Sequence, residues 1–387
     1  MSDKEIKLDI QPQKRRVWRI VLFAIAALLV LGGVFVYVFR DRLPLDALRR
    51  ELRYSAGDDT KQTVYSFDEN NSNLYAPFGT GLAVVSNSGV TTFRKDGKQI
   101  SVAQAQMTTP AVCGGEKLLL VFDAGGNRLY AATPKKGTVL DLTTEKPILD
   151  ADLSEDGYIC YAGSETGYKS VLNVYNDKQE LVYRWLSASQ FMPLCTVSEK
   201  GTYLAAETLG QNRAMFECSV TVFNTASSEE AQTVIPTGNE LLYDLRFMNG
   251  DTICTVGESS AGWFRLDGSC VGRYDYSDSY LKDFSMEGNG FLTLVLNMFQ
   301  AGSRSSVVTL DETGAELGRV GVEGQILDLA VNGDYAAVLT ADMLTVYDKT
   351  LTPVSRLENN SGITHIILHK DGSAVLLSGG RGELYLP

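Results

Sequence analysis

Few side chains in this sequence have the types and spacing that chemistry needs. Histidine is the commonest general base and metal ligand, and the chain has only His365 and His369. Both fall in one expected strand, THIILH, four residues apart. They share a face but stand about 13 Å from each other at the strand rise, too far to bind one metal together. The more telling set is acidic. Asp150 (ILDADL), Asp244 (LLYDLR), Asp283 (LKDFSM) and Asp328 (ILDLAV) each stand about seven residues before a turn of similar composition, and His365 holds the corresponding place in a fifth phrase. If these phrases are equivalent parts of a repeat, the carboxylates converge and would share one positive ligand, a cation or an amine. The plainer alternative is that each Asp bonds nearby backbone amides, a local role this residue often takes.

Other motifs fail on context. GESSAG (257–262) superficially resembles a nucleophile elbow, but it has Ala at the fifth position, and no strand-turn-helix is expected there to strain the serine. No phosphate-cradling or dinucleotide glycine loop precedes a helix. The Asp-rich phrases lack the alternating Asp/Asn and terminal Glu of a calcium loop. The six cysteines, at 113, 160, 195, 218, 254 and 270, include no Cys-x-x-Cys pair and have no neighbouring His, which argues against zinc or iron–sulfur. Outside the cytoplasm an even number permits disulfides. Most sit in apolar runs such as YICYAG and TICTVG, where a buried free thiol is the expected state. No cofactor is expected.

The elements that must position the acids are repeats. From Lys61 onward no long segment has helical periodicity. Instead LSEDGYICYAG (153–163), VSEKGTYLAAET (197–208), FMNGDTICTVG (247–257), SMEGNGFLTLVLN (285–297), AVNGDYAAVLTA (330–341) and LHKDGSAVLLSG (368–379) repeat one phrase. Each is an apolar run, a turn with Gly or Asn able to take positive φ, and a second run. A later strand pair also recurs, as in VTTFRKDGKQI (90–100) and VVTLDETGAELGRV (307–320). The unit is therefore a four-stranded antiparallel meander, which cannot bury its own faces and must stack on copies. The expected fold is an all-β propeller with the acids on the innermost strands, at one mouth of the central channel. Units begin near 73, 107, 147, 190, 240, 280, 325 and 362, giving eight blades, with seven as the alternative. The last has room for three strands, and KQTVYSF (61–67) supplies the fourth, removing the open edges.

The turn motifs resemble those of WD40-like and quinoprotein-like propellers, although Trp-Asp dipeptides and the quinoprotein blade signature are absent. The arrangement of a short basic tail, one span and a degenerate propeller resembles an uncharacterised family of membrane-anchored bacterial propellers. That likeness implies no activity.

The span is WRIVLFAIAALLVLGGVFVYVFRDR (18–42). Its twenty uncharged residues, 20–39, cover roughly 30 Å as a helix, the hydrocarbon thickness of a bilayer. Arg40–Asp41–Arg42 follow where a cleavable signal would have small residues. The expected organisation is a cytoplasmic tail (1–19), a transmembrane helix (20–39), an amphipathic juxtamembrane stalk or plain connector (40–60), and an extracytoplasmic propeller (61–387). Six basic residues before the span against five after it give little orientation, so the QKRR cluster carries that reading. Residues 1–53 carry a net charge of +5. The rest holds 24 basic and 41 acidic residues, a net of −17. Nucleic acid and anionic headgroups should repel such a body.

The expected function is non-enzymatic: a membrane-tethered platform for a protein partner at the cell surface or envelope. Expected blade loops QNRAMFE (211–217) and NMFQAGSRSS (297–306) offer Met215, Phe216, Met298 and Phe299 as apolar anchors, if these are not ordinary strand or loop residues. The alternative is an exported carbohydrate-active or other hydrolase or lyase using acids at the channel mouth.

Overall fold

A computed structural model describes residues 22–23, 64–212, 215–227, 233–238, 240–248, 250–300, 304–358 and 360–387. The chain divides into two units, Met1–Asp58 and Asp59–Pro387, and the second holds the repeats. The expected span at 20–39 lies outside the described residues apart from Leu22 and Phe23, which are helical. Among the described residues no helix is long and apolar enough to cross a membrane.

The recurring turns act as the sequence pattern implies. In DETGA the Asp311 carboxylate accepts the Thr313 amide at 2.8 Å, the Thr313 hydroxyl at 2.6 Å and the Ala315 amide at 3.0 Å. Asp348 does the same for Thr350 and Thr352 one unit later. Each Asp thereby satisfies the turn's donors and fixes where the hairpin reverses. With reversals set this way, the described residues form eight four-stranded antiparallel sheets, each in sequence order except the last. The eight sheets are the blades of a propeller. Their first strands, Leu74–Phe78, Pro110–Gly114, Ile148–Leu153, Cys195–Val197, Leu242–Met248, Tyr280–Ser285, Ile326–Asn332 and His365–Leu368, line the axis. The first strands of blades one and eight meet, so the circle is closed.

Closure is completed by the segment before the first blade. Val64–Ser66 pairs with Arg381–Tyr385 and becomes the outermost strand of blade eight. Tyr65 is fully buried there among Leu82, Val84, Phe93, Val375 and Leu377, which belong to blades one and eight. Apolar side chains between blades form the remaining core, the largest being Trp263 in the cluster joining blades five and six. Close approach of neighbouring blades needs small residues on the outer strands. A Cβ on Gly272 in blade five would lie 1.7 Å from the carbonyl oxygen of Thr313 in blade six, and one on Gly318 would lie 2.2 Å from that of Thr350 in blade seven.

Two expectations are corrected. QNRAMFE is not a long loop: Gln211 and Asn212 end the second strand of blade four, Tyr203–Asn212, and Met215 opens the third, Met215–Asn224. Gln211 pairs with Phe216 and Asn212 with Met215, so ladder pairing runs to the tip of a projecting hairpin. His365 and His369 do not share a strand. The first strand of blade eight stops at Leu368, and the His369 amide and carbonyl belong to the following turn. NMFQAGSRSS does contain an inter-strand connection, between Phe291–Asn297 and Arg304–Asp311.

Candidate functional site

Alternating strand direction sorts every connection onto one of two faces. Turns between first and second strands, and between third and fourth, lie on one face, termed lower. Turns between second and third strands, and the links from blade to blade, lie on the other, termed upper. The first strands therefore run from the upper mouth of the channel to the lower.

Asp150, Asp244, Asp283 and Asp328 all stand near the upper ends of their strands. In each of these four blades the ladder to the second strand slips by one residue immediately before the Asp, between Ile148 and Asp150, Leu242 and Asp244, Leu281 and Asp283, and Ile326 and Asp328. Such a bulge leaves one residue unpaired and re-aims its neighbours. The unpaired residues are Leu149, Tyr243, Lys282 and Leu327, all outside the channel core and three of them exposed apolar side chains.

The carboxylates bond backbone amides, but not uniformly. Asp150 accepts the amide of Cys195 at 2.8 Å and Asp328 that of Ile366 at 2.7 Å, each from the next blade. Asp244 and Asp283 accept the amides of Leu245 and Phe284 at 2.8 Å, within their own strands. His365 pairs directly with Leu377 without a bulge. Its ring centroid is 5.4 Å from that of Tyr75, and its Nδ1 is 3.8 Å from Asp328 Oδ2, an electrostatic contact longer than a hydrogen bond. The Asp328 carboxylate raises the imidazole's affinity for a proton.

Burial governs the acids. Enclosure by the channel wall pushes Asp150 up to about 7, opposed by the Cys195 amide and reinforced by the charges of Asp244 and Asp152. Asp244 is pushed up to about 6 by burial, with Arg246 opposing. Asp283 is raised by burial and further by Asp328. These groups stay partly wetted by the channel while protein surrounds them on other sides. Among the described residues, no three His, Cys, Asp or Glu side chains form a group able to hold a metal ion.

Nearer the lower mouth lies a set centred on Arg246, which has no counterpart in the other repeats. Arg246 in blade five bonds Glu287 of blade six and lies 3.7 Å from Asp244. Its charge also opposes the burial of Asp152, whose carboxylate accepts the Thr196 hydroxyl at 2.7 Å. At the lower mouth, Lys370 of blade eight reaches Glu155 of blade three at 2.6 Å. Lys117 of blade two bonds Asp156 beside it at 2.8 Å. The channel holds a cavity of about 520 Å³ lined by Tyr75, Asp328, His365, Glu287 and Lys370 among others. A second cavity of about 280 Å³ lies against Asp152, Arg246 and Glu199.

The upper face has a different character outside the mouth. Phe216 at the blade-four hairpin is 75% exposed, and Met298 and Phe299 in blade six are 74% and 70% exposed. The side chain of Met215 lies outside the described residues. Sequence reading missed further exposed members of the same face: Phe191 on the link to blade four, Tyr243 at the blade-five bulge, and Tyr280 opening blade six. Lysine contacts tie two places on this face. Lys169 sits 5.0 Å over the Phe191 ring and donates to the Ser189 carbonyl at 3.0 Å, while Lys282 donates to the Gln300 carbonyl at 2.5 Å beside Phe299. Within the propeller, the other exposed large apolar residues among those described lie at strand starts of this face, on outer strands, or at Leu386. Alternation of strand direction, already implied by the meander, was the available signal.

The fold and the channel define, among the described residues, an eight-bladed β-propeller. Solved structures similar to it include the C-terminal WD40 domain of Sif2, with 11% identity, 84% of this chain and 98% of that chain covered, and a TM-score of 0.56. The Dos1 propeller gives 11% identity, coverage of 84% and 94%, and a TM-score of 0.54. BamB from Moraxella catarrhalis gives 12% identity, coverage of 84% and 99%, and a TM-score of 0.50. At these identities the likeness shows the fold alone. No curated protein matches the chain in sequence. Residues 54–379 match the family of unknown function DUF5711, and the chain belongs to that family.

Proposed function

We propose that the protein is a non-enzymatic, membrane-tethered platform in a bacterial envelope, which binds a protein partner on the upper face of an extracytoplasmic propeller. The observation that carries this reading is the asymmetry between the faces: Phe191, Phe216, Tyr243, Tyr280, Met298 and Phe299 are exposed on the upper one, around a mouth edged with carboxylates. Exposed aromatic and Met side chains are the usual anchors of protein interfaces. The excess of acid in the body and the ring of Asp favour a partner presenting basic side chains between apolar ones, and disfavour nucleic acid and anionic lipid. The tether is the uncharged stretch 20–39, with the basic tail inside the cell.

The test is chemical crosslinking of the tagged full-length protein in its native membranes, alongside the Met298→Glu/Phe299→Glu variant. A stoichiometric adduct with a protein, lost in the variant while the fold survives, supports the reading; an adduct of unchanged yield removes it. Protease added to intact cells tests the orientation, because survival of the propeller contradicts an extracytoplasmic body. The second reading, a glycan-active enzyme, has one observation in its favour: burial raises Asp150 and Asp244 toward the range of a general acid. Hydrolysis of a glycan panel that disappears in Asp150→Asn would favour it.

A further inference from the structure

We propose that Cys160 and Cys195 are a disulfide site that locks blade three to blade four when the protein meets a small disulfide oxidant. The two thiols are in hydrogen-bond contact, Sγ to Sγ 3.5 Å, across the boundary between the second strand of blade three, Ile159–Glu165, and the first strand of blade four. They are 35 residues apart in sequence and fully or almost fully buried. Among the described residues no other two cysteine sulfurs are in such contact. Cys113 reaches the Ala151 carbonyl, Cys270 is exposed, and all six are free thiols.

The sulfurs need to close from contact to roughly 2.05 Å, a small movement compared with bridging distant strands. Exchange with a disulfide such as oxidised glutathione supplies the chemistry. One cysteine, as thiolate, attacks a sulfur of the oxidant, forming a mixed disulfide and releasing one glutathione thiolate. The second cysteine gives up its proton and attacks the protein sulfur of that mixed disulfide, releasing the other glutathione. Two electrons and two protons pass from the cysteine pair to the oxidant, which leaves as two thiols. Burial also raises both thiol pKa values, which slows attack in the closed fold. The bond therefore forms most readily while the blades are docking during folding.

The site has a structural consequence for the upper face. The segment closed by the link contains Phe191, whose backbone bridges to Leu209 in blade four. Cys195 also donates its amide to Asp150 at the channel mouth. A covalent tie here pins the junction that carries one exposed aromatic of the upper face, Phe191, and one mouth carboxylate, Asp150. The inference is independent of the platform reading, since it concerns the link and not any partner.

The test uses full-length protein in mild detergent. One reduced sample is kept folded in a glutathione and oxidised-glutathione buffer, and a second is refolded from urea in the same buffer. Both are alkylated, digested and analysed by mass spectrometry, with Cys160→Ser and Cys195→Ser as controls. The expected result, at least in the refolded sample, is one intramolecular peptide pair joining Cys160 to Cys195, four alkylated thiols, and a higher melting temperature than the reduced protein. Neither serine variant forms an intramolecular link. The proposal is overturned if both cysteines are alkylated or singly glutathionylated in both samples, or if either joins a different cysteine.

Discussion

The Ile366 amide donates to the Asp328 carboxylate at 2.7 Å across the boundary between blades seven and eight. The Asp150 carboxylate takes the Cys195 amide in the same way between blades three and four. In blade four, Glu207 reaches forward to the Leu242 amide of blade five at 3.0 Å. Acidic side chains near the channel thus satisfy the backbone donors that open the next blade's first strand. Each boundary without such a tie would leave a buried N–H to be satisfied otherwise. Asp150 and Asp328 at the mouth are therefore part of what holds the circle, whatever else they contact, whereas Asp244 and Asp283 bond within their own strands.

Burial makes that role sensitive to pH. The folded-state pKa of Asp150, about 7, lies above its unfolded value near 4, so the native state binds more protons between those limits. Its contribution to stability consequently falls as pH rises from about 4 to about 7 and is level above that. Asp150→Asn keeps an acceptor for the Cys195 amide and removes the titration. The variant should gain on the wild type as pH rises through this window, read as urea midpoints from pH 4.5 to 8.5. A gap between the two that does not change with pH contradicts the assignment.

Gly272 admits the Thr313 carbonyl of the next blade, a backbone atom that has nowhere to go. Gly272→Ala should destabilise by about 3 kcal/mol, the upper range for overpacking. Urea denaturation checks this, and a loss below about 1 kcal/mol would mean that the blades separate more easily than their packing suggests.

Closure by the N-terminal strand concentrates on Tyr65, whose ring meets Phe93 edge-on at 5.9 Å in the first blade. Tyr65→Ala should cost about 3 kcal/mol, as large-to-small changes at buried aromatic sites do. Hydrogen exchange on the same variant should rise first in Arg381–Tyr385, its pairing partner. Exchange that rises evenly over all blades would contradict a local seal.

Arg246 is the cation among Asp152, Asp244 and Glu287. Arg246→Met leaves those carboxylates uncompensated. Partial exposure of the site discounts the 3–5 kcal/mol typical of a fully buried pair, to about 2 kcal/mol at pH 7.5. The loss should shrink toward pH 5, where the raised acids Asp152 and Asp244 hold protons more often. Equal losses at both pH values would detach the arginine from the acids.

Much of this architecture is legible in sequence because each blade repeats one turn chemistry. Asp311 with Thr313, and Asp348 with Thr350, show why the Asp-x-Thr spacing marks a reversal. The missing strand of blade eight follows from counting. The position of the four Asp residues is legible too, but their partners are not: whether Asp150 bonds its own blade or the next depends on blade spacing. Arg246 has no counterpart in the other repeats, and nothing in the repeated turn acids Glu155, Glu199 and Glu287 marks which of them it meets. The hairpin of blade four was misread because the polar Gln211 and Asn212 make the end of a strand look like a loop. Phe191 and Tyr243 lie apart in sequence and meet on one face only once strand direction is followed.

The most direct test of the platform reading places a photo-crosslinking amino acid at Phe299 on the upper face or at Lys136 on the lower, in the full-length protein in its native membranes. The account predicts a discrete protein adduct from position 299, weakened by Phe191→Ala and Phe216→Ala, and none from position 136. Adducts from 136 alone, or equally from both, would contradict it.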